Sequence, residues 1–140
     1  MQCVSRVVAI GMVALLTGCV LQHRDLVEEQ SVTLDVRHAR DVAMSGVSAY
    51  QEGDHLLIAG TIWQKKARRP FSGGVQVSVL LDNGEVFEAR CHEIFPKPAP
   101  WRQMRMANMY ASFFNVTLPK MPPPGAVIRI VGSAEAAFCT

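Results

Sequence analysis

The sequence predicts an all-β domain: an immunoglobulin-like antiparallel β-sandwich of about seven strands, with a small β-barrel as the alternative. Short runs of alternating apolar and polar residues recur from residue 31 onward, and turn-forming residues separate them at fairly regular spacing. No part of this region repeats apolar residues every 3.6 positions over a long stretch, as a core-facing helix requires. The tryptophan and disulfide pattern of antibody domains is not evident, so the prediction concerns architecture and not a family.

Alternation defines each strand in turn. The predicted strands cover residues 31–36, 47–50, 56–63, 75–81, 85–94, 112–118 and 127–131. In the fourth strand, the residues predicted to face the core are Val75, Val77, Val79 and Leu81. The third strand, 56–63, is apolar on both faces, which predicts a central position in its sheet.

The connections carry turn and loop signals. Asn83-Gly84 lies between two alternating runs and predicts a type I′ hairpin turn, because both residues tolerate the positive φ that this turn requires. Residues 64–74 interrupt the alternation and predict a loop. Residues 95–101, with prolines at alternate positions, predict an extended crossover between the sheets or a rigid docking strip. Residues 102–109 predict one short helical turn.

The N-terminus reads as an export signal. Residues 1–6 hold one positive charge, and residues 7–16 form an apolar run. Ten helical residues rise about 15 Å, half of a hydrocarbon core of about 30 Å, so the run fits a signal peptide and not a transmembrane span. Leu16-Thr17-Gly18-Cys19 follows directly, and this tetrapeptide resembles the lipobox of bacterial lipoproteins.

The resemblance implies that Cys19 takes a diacylglyceryl group and that a peptidase cuts between Gly18 and Cys19. The acyl chains would then hold the protein on a membrane. Val20 follows the cysteine instead of aspartate, and among Gram-negative lipoproteins this favours the outer membrane, facing the periplasm. An ordinary secretory signal that happens to end in a cysteine is the alternative.

These observations divide the chain into a signal peptide (1–18), a lipidated N-terminus and tether (19–30) and one domain (31–140). Apolar residues make up 49% of the 140 residues and charged residues 19%, which is a globular and not a disordered composition. The formal net charge of only +2 predicts no nucleic-acid partner.

Four cysteines have different predicted fates. Cys3 leaves with the signal and Cys19 is lipidated, so Cys91 and Cys139 remain. In the oxidising compartment that an exported chain reaches, two leftover thiols predict a structural disulfide. A redox or metal-binding thiol pair is the alternative, and no Cys-x-x-Cys spacing supports it.

No catalytic residues and no cofactor are predicted. The histidines form no zinc-binding pattern, and the sequence contains neither a nucleophile elbow nor a phosphate loop. An anchored envelope hydrolase remains an alternative, because a triad can assemble from distant positions. A copper-binding protein is a second alternative, since thioethers bind Cu(I); its weak candidate ligands are Met104, Met106, Met109 and His92. Those methionines could equally fill gaps in a core.

A basic segment is the candidate binding loop. Its charges come from Lys65, Lys66, Arg68 and Arg69. Such a loop can contact anionic headgroups or an acidic protein face, or it can simply be solvated. Taken together, the sequence predicts a membrane-anchored cell-envelope lipoprotein that acts as a non-catalytic binding or assembly module. Its expected partners are the membrane, through the acyl chains, and another envelope protein.

Overall fold

Nine strands form the described part of the chain. The computed structural model describes residues 24–65, 72–94, 103–106, 109–135 and 138–139. The strands are β1 (Arg24–Asp25), β2 (Thr33–His38), β3 (Val42–Glu52), β4 (His55–Lys65), β5 (Gly73–Leu80), β6 (Val86–Ile94), β7 (Gln103–Met106), β8 (Met109–Leu118) and β9 (Val127–Ser133). All seven predicted strands are present, and β1 and β7 are additional. Within the described ranges, no helix has the length and apolar character needed to cross a membrane.

The strands form two sheets that pack as a β-sandwich, as the sequence predicts. Sheet A has the order β1-β3-β4-β8-β7, and sheet B has the order β2-β9-β5-β6. Strand β4 lies in the middle of sheet A, in agreement with its two apolar faces. One pairing differs from the antiparallel prediction, because β2 runs parallel to β9.

The core consists of the alternate residues that the two sheets direct toward each other. Its fully buried large side chains are Leu56, Ile58, Ile62, Phe114 and Leu118 from sheet A and Val75, Val77, Val79, Ile128 and Ile130 from sheet B, together with Val42. Each aliphatic side chain buried in this way contributes about 1.5–3 kcal/mol relative to an exposed one. Val75, Val77 and Val79 face the core as predicted, whereas Leu81 follows the end of β5 and is half-buried.

The predicted helical turn over residues 102–109 is wrong. Gln103–Met106 forms strand β7, which pairs with β8 in a hairpin that aligns Met106 with Met109. Arginine, glutamine and methionine are good helix formers, but an isolated helical turn is too short to be stable, and the free edge of β8 offers backbone hydrogen bonds that such a turn lacks. Pairing with the sheet therefore overrides the local preference.

The predicted type I′ turn at Asn83-Gly84 is also wrong. Only Gly84 of this pair has a positive φ, of 80°. The N–H of Gly84 donates to the carbonyl of Leu81 at 2.8 Å, and the N–H of Leu81 donates to the carbonyl of Glu85 at 2.9 Å. This is a three-residue loop with a left-handed glycine at its end. The Asn83 side chain accepts a hydrogen bond from the Glu85 N–H at 2.9 Å, which fixes the loop locally.

Residues 24–30, which the sequence assigns to the tether, are part of the described structure. Arg24 and Asp25 pair with Gln51 and Tyr50 of β3. Leu26 is buried, and its N–H donates to the carbonyl of Ala49 at 2.9 Å. Residues 24–30 therefore belong to the folded unit.

Candidate binding face

The register of β3, β4 and β8 defines the side of sheet A that faces away from the core. On these three strands the charged residues of this side lie only at the strand ends, at Glu52 of β3 and Lys65 of β4, and we call the stretch between them the uncharged face. Its residues are Ala43, Ser45, Ser48 and Tyr50 of β3, Leu57, Ala59, Thr61 and Trp63 of β4, and Ala111, Phe113, Asn115 and Thr117 of β8. A solvated antiparallel sheet normally alternates apolar residues inward with polar and charged residues outward, so this composition is unusual.

Two aromatic side chains on the uncharged face differ in how far they protrude from the sheet. Phe113 is 63% exposed, the largest exposure of any large apolar side chain among the described residues. Trp63 is half-buried, and its Nε1 donates a hydrogen bond of 2.9 Å to the Ser45 hydroxyl on the neighbouring strand. This bond satisfies the indole N–H and holds the ring against the sheet. Phe113 therefore protrudes, whereas Trp63 lies flatter.

A row of register partners runs across the middle of the uncharged face. Thr61 of β4 pairs with Ser45 on one side and with Phe113 on the other. Ser45 is followed by Gly46, which has a φ of 59° and an open space where a Cβ would stand. The row therefore projects at Phe113 on its β8 side, while on its β3 side the Ser45 hydroxyl accepts the hydrogen bond from Trp63.

The outer side of sheet B differs from the uncharged face because it is charged. Asp35 of β2 binds Arg37 at 3.0 Å and Arg129 of β9 at 2.9 Å. The hydrogen bonds from Arg37 and then Arg129 hold the pKa of the Asp35 carboxyl below its ordinary value of 3.8. Water solvates such a surface well, so this side is a poorer candidate for an apolar contact.

Short or charged strands occupy the sheet edges. In sheet A the edge strands are β1, with two residues, and β7, with four. In sheet B, edge strand β6 places Glu88, Arg90 and His92 opposite the core-facing valines of β5. Short edges and inward-pointing charges both discourage pairing with a further strand. Association through a sheet face is therefore favoured over association through an edge.

The predicted disulfide between Cys91 and Cys139 is present, with its Cα atoms 5.5 Å apart. It ties the C-terminal residues to β6. Gly74 of β5 makes room for this connection, because a Cβ there would lie only 2.8 Å from the Cys139 Sγ and 3.1 Å from the Phe138 ring. A side chain at position 74 would therefore collide with the disulfide, and glycine avoids this collision.

Only part of the predicted basic segment falls within the described residues. Lys65 is the exposed last residue of β4, while Lys66, Arg68 and Arg69 lie outside the described residues. Residues 95–101 lie outside them too, as do Gly18 and Cys19.

The strand register defines the position of Lys65 relative to Arg24. Arg24 pairs with Gln51, which pairs with Leu56 near the start of β4. We call this the lower end of the sandwich and the end at Lys65 the upper end. The 11 residues of β4 separate the two ends by about 33 Å. The basic segment therefore starts at the end opposite to Arg24.

The structure brings the candidate methionine ligands together but not the histidine. Met104 and Met106 lie on β7 and Met109 lies on β8, within one hairpin of sheet A, whereas His92 is on β6 of sheet B. Among the described residues, no group of three histidine, cysteine, aspartate or glutamate side chains could hold a metal ion.

A shallow cavity of about 360 Å³ lies between the turn after β5 and the proline turn before β9. Its lining residues are Leu81, Asp82, Asn83, Pro123, Pro124 and Ala126. Asp82 is the one ionisable group in this lining, so the cavity lacks the paired groups that acid–base chemistry uses.

The uncharged face was not predicted from the sequence. The alternation that directs Phe114, Val116 and Leu118 inward also directs Phe113 outward, and this was the available signal. Compared with protein-family models, with curated proteins and with solved structures, the chain has no significant match.

Proposed function

We propose that the protein is a lipid-anchored cell-envelope lipoprotein whose β-sandwich is a non-catalytic binding or assembly module acting through protein contact. The observation that carries this proposal is the uncharged face. Contiguous exposed apolar surface marks interaction sites, and depletion of charge with enrichment of aromatic residues is typical of interface centres. Phe113, Trp63 and Tyr50 supply the aromatic residues, and none of the twelve residues of the uncharged face is charged.

The N-terminal features support the anchored location. The lipobox-like Leu16-Thr17-Gly18-Cys19 precedes the fold, and strand β1 begins at Arg24. The five steps from Cys19 to Arg24 span at most about 18 Å when fully extended. The lower end of the sandwich therefore stays near the membrane that holds the acyl chains, which by the Val20 criterion is the outer membrane on its periplasmic side.

We also propose that the sandwich is immunoglobulin-like in its connectivity. The order β3-β4-β8-β7 in sheet A matches immunoglobulin strands A-B-E-D, and β6-β5-β9 in sheet B matches C′-C-F. Strand β2 occupies the place of strand G, although it comes from the N-terminal side and runs parallel to its neighbour. Domains of this architecture commonly serve as binding modules, and here that resemblance is an analogy of fold alone.

In-cell photocrosslinking of the full-length protein tests the binding proposal. A photoreactive residue replaces Asn115 on the uncharged face or, as the matched control, Gln76 on the outer side of sheet B; both positions are exposed. We expect capture of a discrete protein from position 115, no capture from position 76, and loss of capture in the Cys19→Ala variant. Equal capture from both positions would assign the contact elsewhere. No capture by an abundant, lipidated protein would overturn the proposal.

Copper binding is a second candidate because the β7–β8 hairpin unites Met104, Met106 and Met109. Three thioethers form a soft ligand set that suits Cu(I). Titration of the purified protein with Cu(I) against a competing chelator tests this candidate, with the triple methionine-to-leucine variant as the control. Equal Cu(I) retention by wild type and variant would exclude the hairpin as the site.

A further inference from the structure

We infer that the Cys91–Cys139 disulfide is a thiol-exchange site: an external dithiol attacks it in the folded protein, and its opening releases the C-terminal residues from sheet B. The described residues after β9 are Ala134, Glu135, Phe138 and Cys139, and we call them the C-terminal strap. The inference is independent of the contact made by the uncharged face. It adds a reaction to a bond that also holds the chain end in place.

Cys91 is the accessible half of the bond. Its register partner on β5 is Gln76, which lies between the core-facing Val75 and Val77. Successive residues of a strand point to opposite sides, so the Cys91 side chain points away from the core, and Cys91 is exposed. Among the described strands, β6 is also at the edge of sheet B, with only β5 beside it. A thiolate can therefore approach Cys91 from the outer side of the sheet.

Cys139 is the shielded half of the bond. It is half-buried, and a Cβ at position 74 would lie only 2.8 Å from its Sγ, so this sulfur lies close above the backbone of β5. The Phe138 ring lies beside it, 3.1 Å from the same point. Exchange needs access to the sulfur that is attacked. We therefore expect the incoming thiolate to attack Cys91 Sγ and Cys139 to be the leaving thiolate.

The hydrogen bonds of the C-terminal strap are local. Phe138 N–H donates to the Glu135 carbonyl at 3.1 Å, and Glu135 N–H donates to the Ser133 hydroxyl at 3.2 Å. The ladder between β9 and β5 ends at the pair of Ser133 and Gly74. Of the side chains described in the strap, Ala134 alone packs against the core cluster. The strap therefore has few other ties to the sheet, and chain ends without such ties fray.

The sandwich can stay folded while the strap is released. The large side chains that are fully buried come from β3, β4, β5, β8 and β9. The strap lies on the outer side of sheet B, where a Cβ of Gly74 would point. Opening of the disulfide therefore uncovers the outer side of β5 at Gly74 and leaves the core between the sheets covered.

The exchange has two steps, in which atoms and electrons balance. One thiolate of the dithiol attacks Cys91 Sγ and forms a mixed disulfide, while Cys139 leaves as a thiolate and takes up a proton. The second thiol of the dithiol loses its proton, attacks the mixed disulfide and releases the Cys91 thiol. The protein gains two electrons and two protons, and the dithiol becomes a disulfide. Exposed disulfides are the more labile ones in such exchange.

The rate of reduction distinguishes direct attack from reduction through unfolding. The full-length lipoprotein in detergent is mixed with dithiothreitol, the probe dithiol, and the free thiols are alkylated and counted by mass spectrometry. The comparison variant is Gly60→Ala, whose added Cβ would lie 2.8 Å from Phe114 Cζ in the core. We expect a rate that is proportional to the dithiothreitol concentration and equal in wild type and Gly60→Ala.

Reduction through unfolding would give a different result. The rate would level off at the rate of opening, or Gly60→Ala would react about five- to 140-fold faster, which corresponds to its expected loss of about 1–3 kcal/mol. Either result would overturn the inference. Urea below the unfolding transition makes the same comparison without a variant, because it accelerates only the route through unfolding.

Two further measurements test the attacked sulfur and the release of the strap. With glutathione, a monothiol, the mixed disulfide should form on Cys91, and its formation on Cys139 would refute attack at Cys91. In the reduced and alkylated protein, carboxypeptidase should trim the chain to near Ser133, whereas the oxidised protein should keep Cys139. The Cys91→Ser/Cys139→Ser variant should be trimmed like the reduced protein. Resistance of the reduced protein, or its complete digestion, would show that the strap is not released from a folded sandwich.

Discussion

Asp35 of β2 and Arg129 of β9 lie directly opposite each other in the parallel strand pair, and Arg129 Nε donates a hydrogen bond of 2.9 Å to Asp35 Oδ2. Arg37, two residues further along β2, donates from its Nε to the other carboxylate oxygen at 3.1 Å. One carboxylate is thus shared by two guanidinium groups on the outer side of sheet B. This arrangement stabilises the ionised form of Asp35.

Asp35→Asn should reduce the acid sensitivity of the fold. The pKa of Asp35 is lowered by the hydrogen bonds from Arg37 and Arg129. Below the ordinary value of 3.8, unfolding therefore takes up a proton, and stability falls as the pH falls through the folded pKa. Urea unfolding over about three pH units, from about pH 5 to about pH 2, should show a shallower loss of stability for Asp35→Asn than for wild type. Identical pH profiles would contradict the assignment.

Gly60→Ala should destabilise the core. Gly60 faces inward from β4, and a Cβ there would lie 2.8 Å from Phe114 Cζ and 3.1 Å from Val47 Cγ2. Because both neighbours are core side chains, the added methyl forces them to shift, and we expect a loss of about 1–3 kcal/mol in the free energy of unfolding. Chemical denaturation measures this loss. Ala89→Val, which adds volume at an exposed position of β6, is the control and should change stability by less than about 0.5 kcal/mol.

The double variant Cys91→Ser/Cys139→Ser should be less stable than wild type. The disulfide joins residues separated by 48 positions and so restricts the unfolded chain. The chain-entropy argument gives a stabilisation of about 4 kcal/mol for a loop of that size, and native disulfides typically contribute about 2–4 kcal/mol. Chemical denaturation should give the same low free energy of unfolding for the reduced wild type and the variant. The oxidised wild type should give a higher value. A loss smaller than about 1 kcal/mol would show that the C-terminal residues are held by packing alone.

Gln30→Gly should stabilise the turn between β1 and β2. Gln30 has a φ of 56° and is the only non-glycine residue among those described with a positive φ. A left-handed conformation costs an L-residue about 1–2 kcal/mol, while glycine adopts it freely at some entropic cost in the unfolded chain. We expect a net gain of about 1 kcal/mol in unfolding free energy, with no gain for Gln30→Ala. An unchanged midpoint for Gln30→Gly would refute the prediction.

The sequence predicted those elements whose signals are local. Val75, Val77 and Val79 alternate cleanly and are fully buried, and the two leftover thiols at Cys91 and Cys139 do form the disulfide. These predictions succeed because side-chain alternation and cysteine pairing follow from composition and period alone.

The features that the sequence did not predict depend on contacts between residues that are far apart along the chain. Arg24–Asp25 is too short and too polar to show alternation, and it becomes a strand because β3 offers it a partner. Gln103–Met106 becomes a strand for the same reason, at the edge of β8. The uncharged face was missed because it is a property of three strands side by side, and their register has to be known before Ser45, Thr61 and Phe113 become neighbours.

The parallel pairing of β2 with β9 has a consequence for the order in which the molecule can form. The first strand of sheet B binds the last, and the Asp35–Arg129 contact spans 94 positions of sequence. Contacts between such distant residues form late, because the loop that they close is entropically costly. A chain that is delivered N-terminus first, from a ribosome or through a narrow channel, can complete β3 with β4 and β5 with β6 as local hairpins. It cannot complete sheet B until residue 133 has emerged, so its final cooperative folding step has to wait for the delivery of β9.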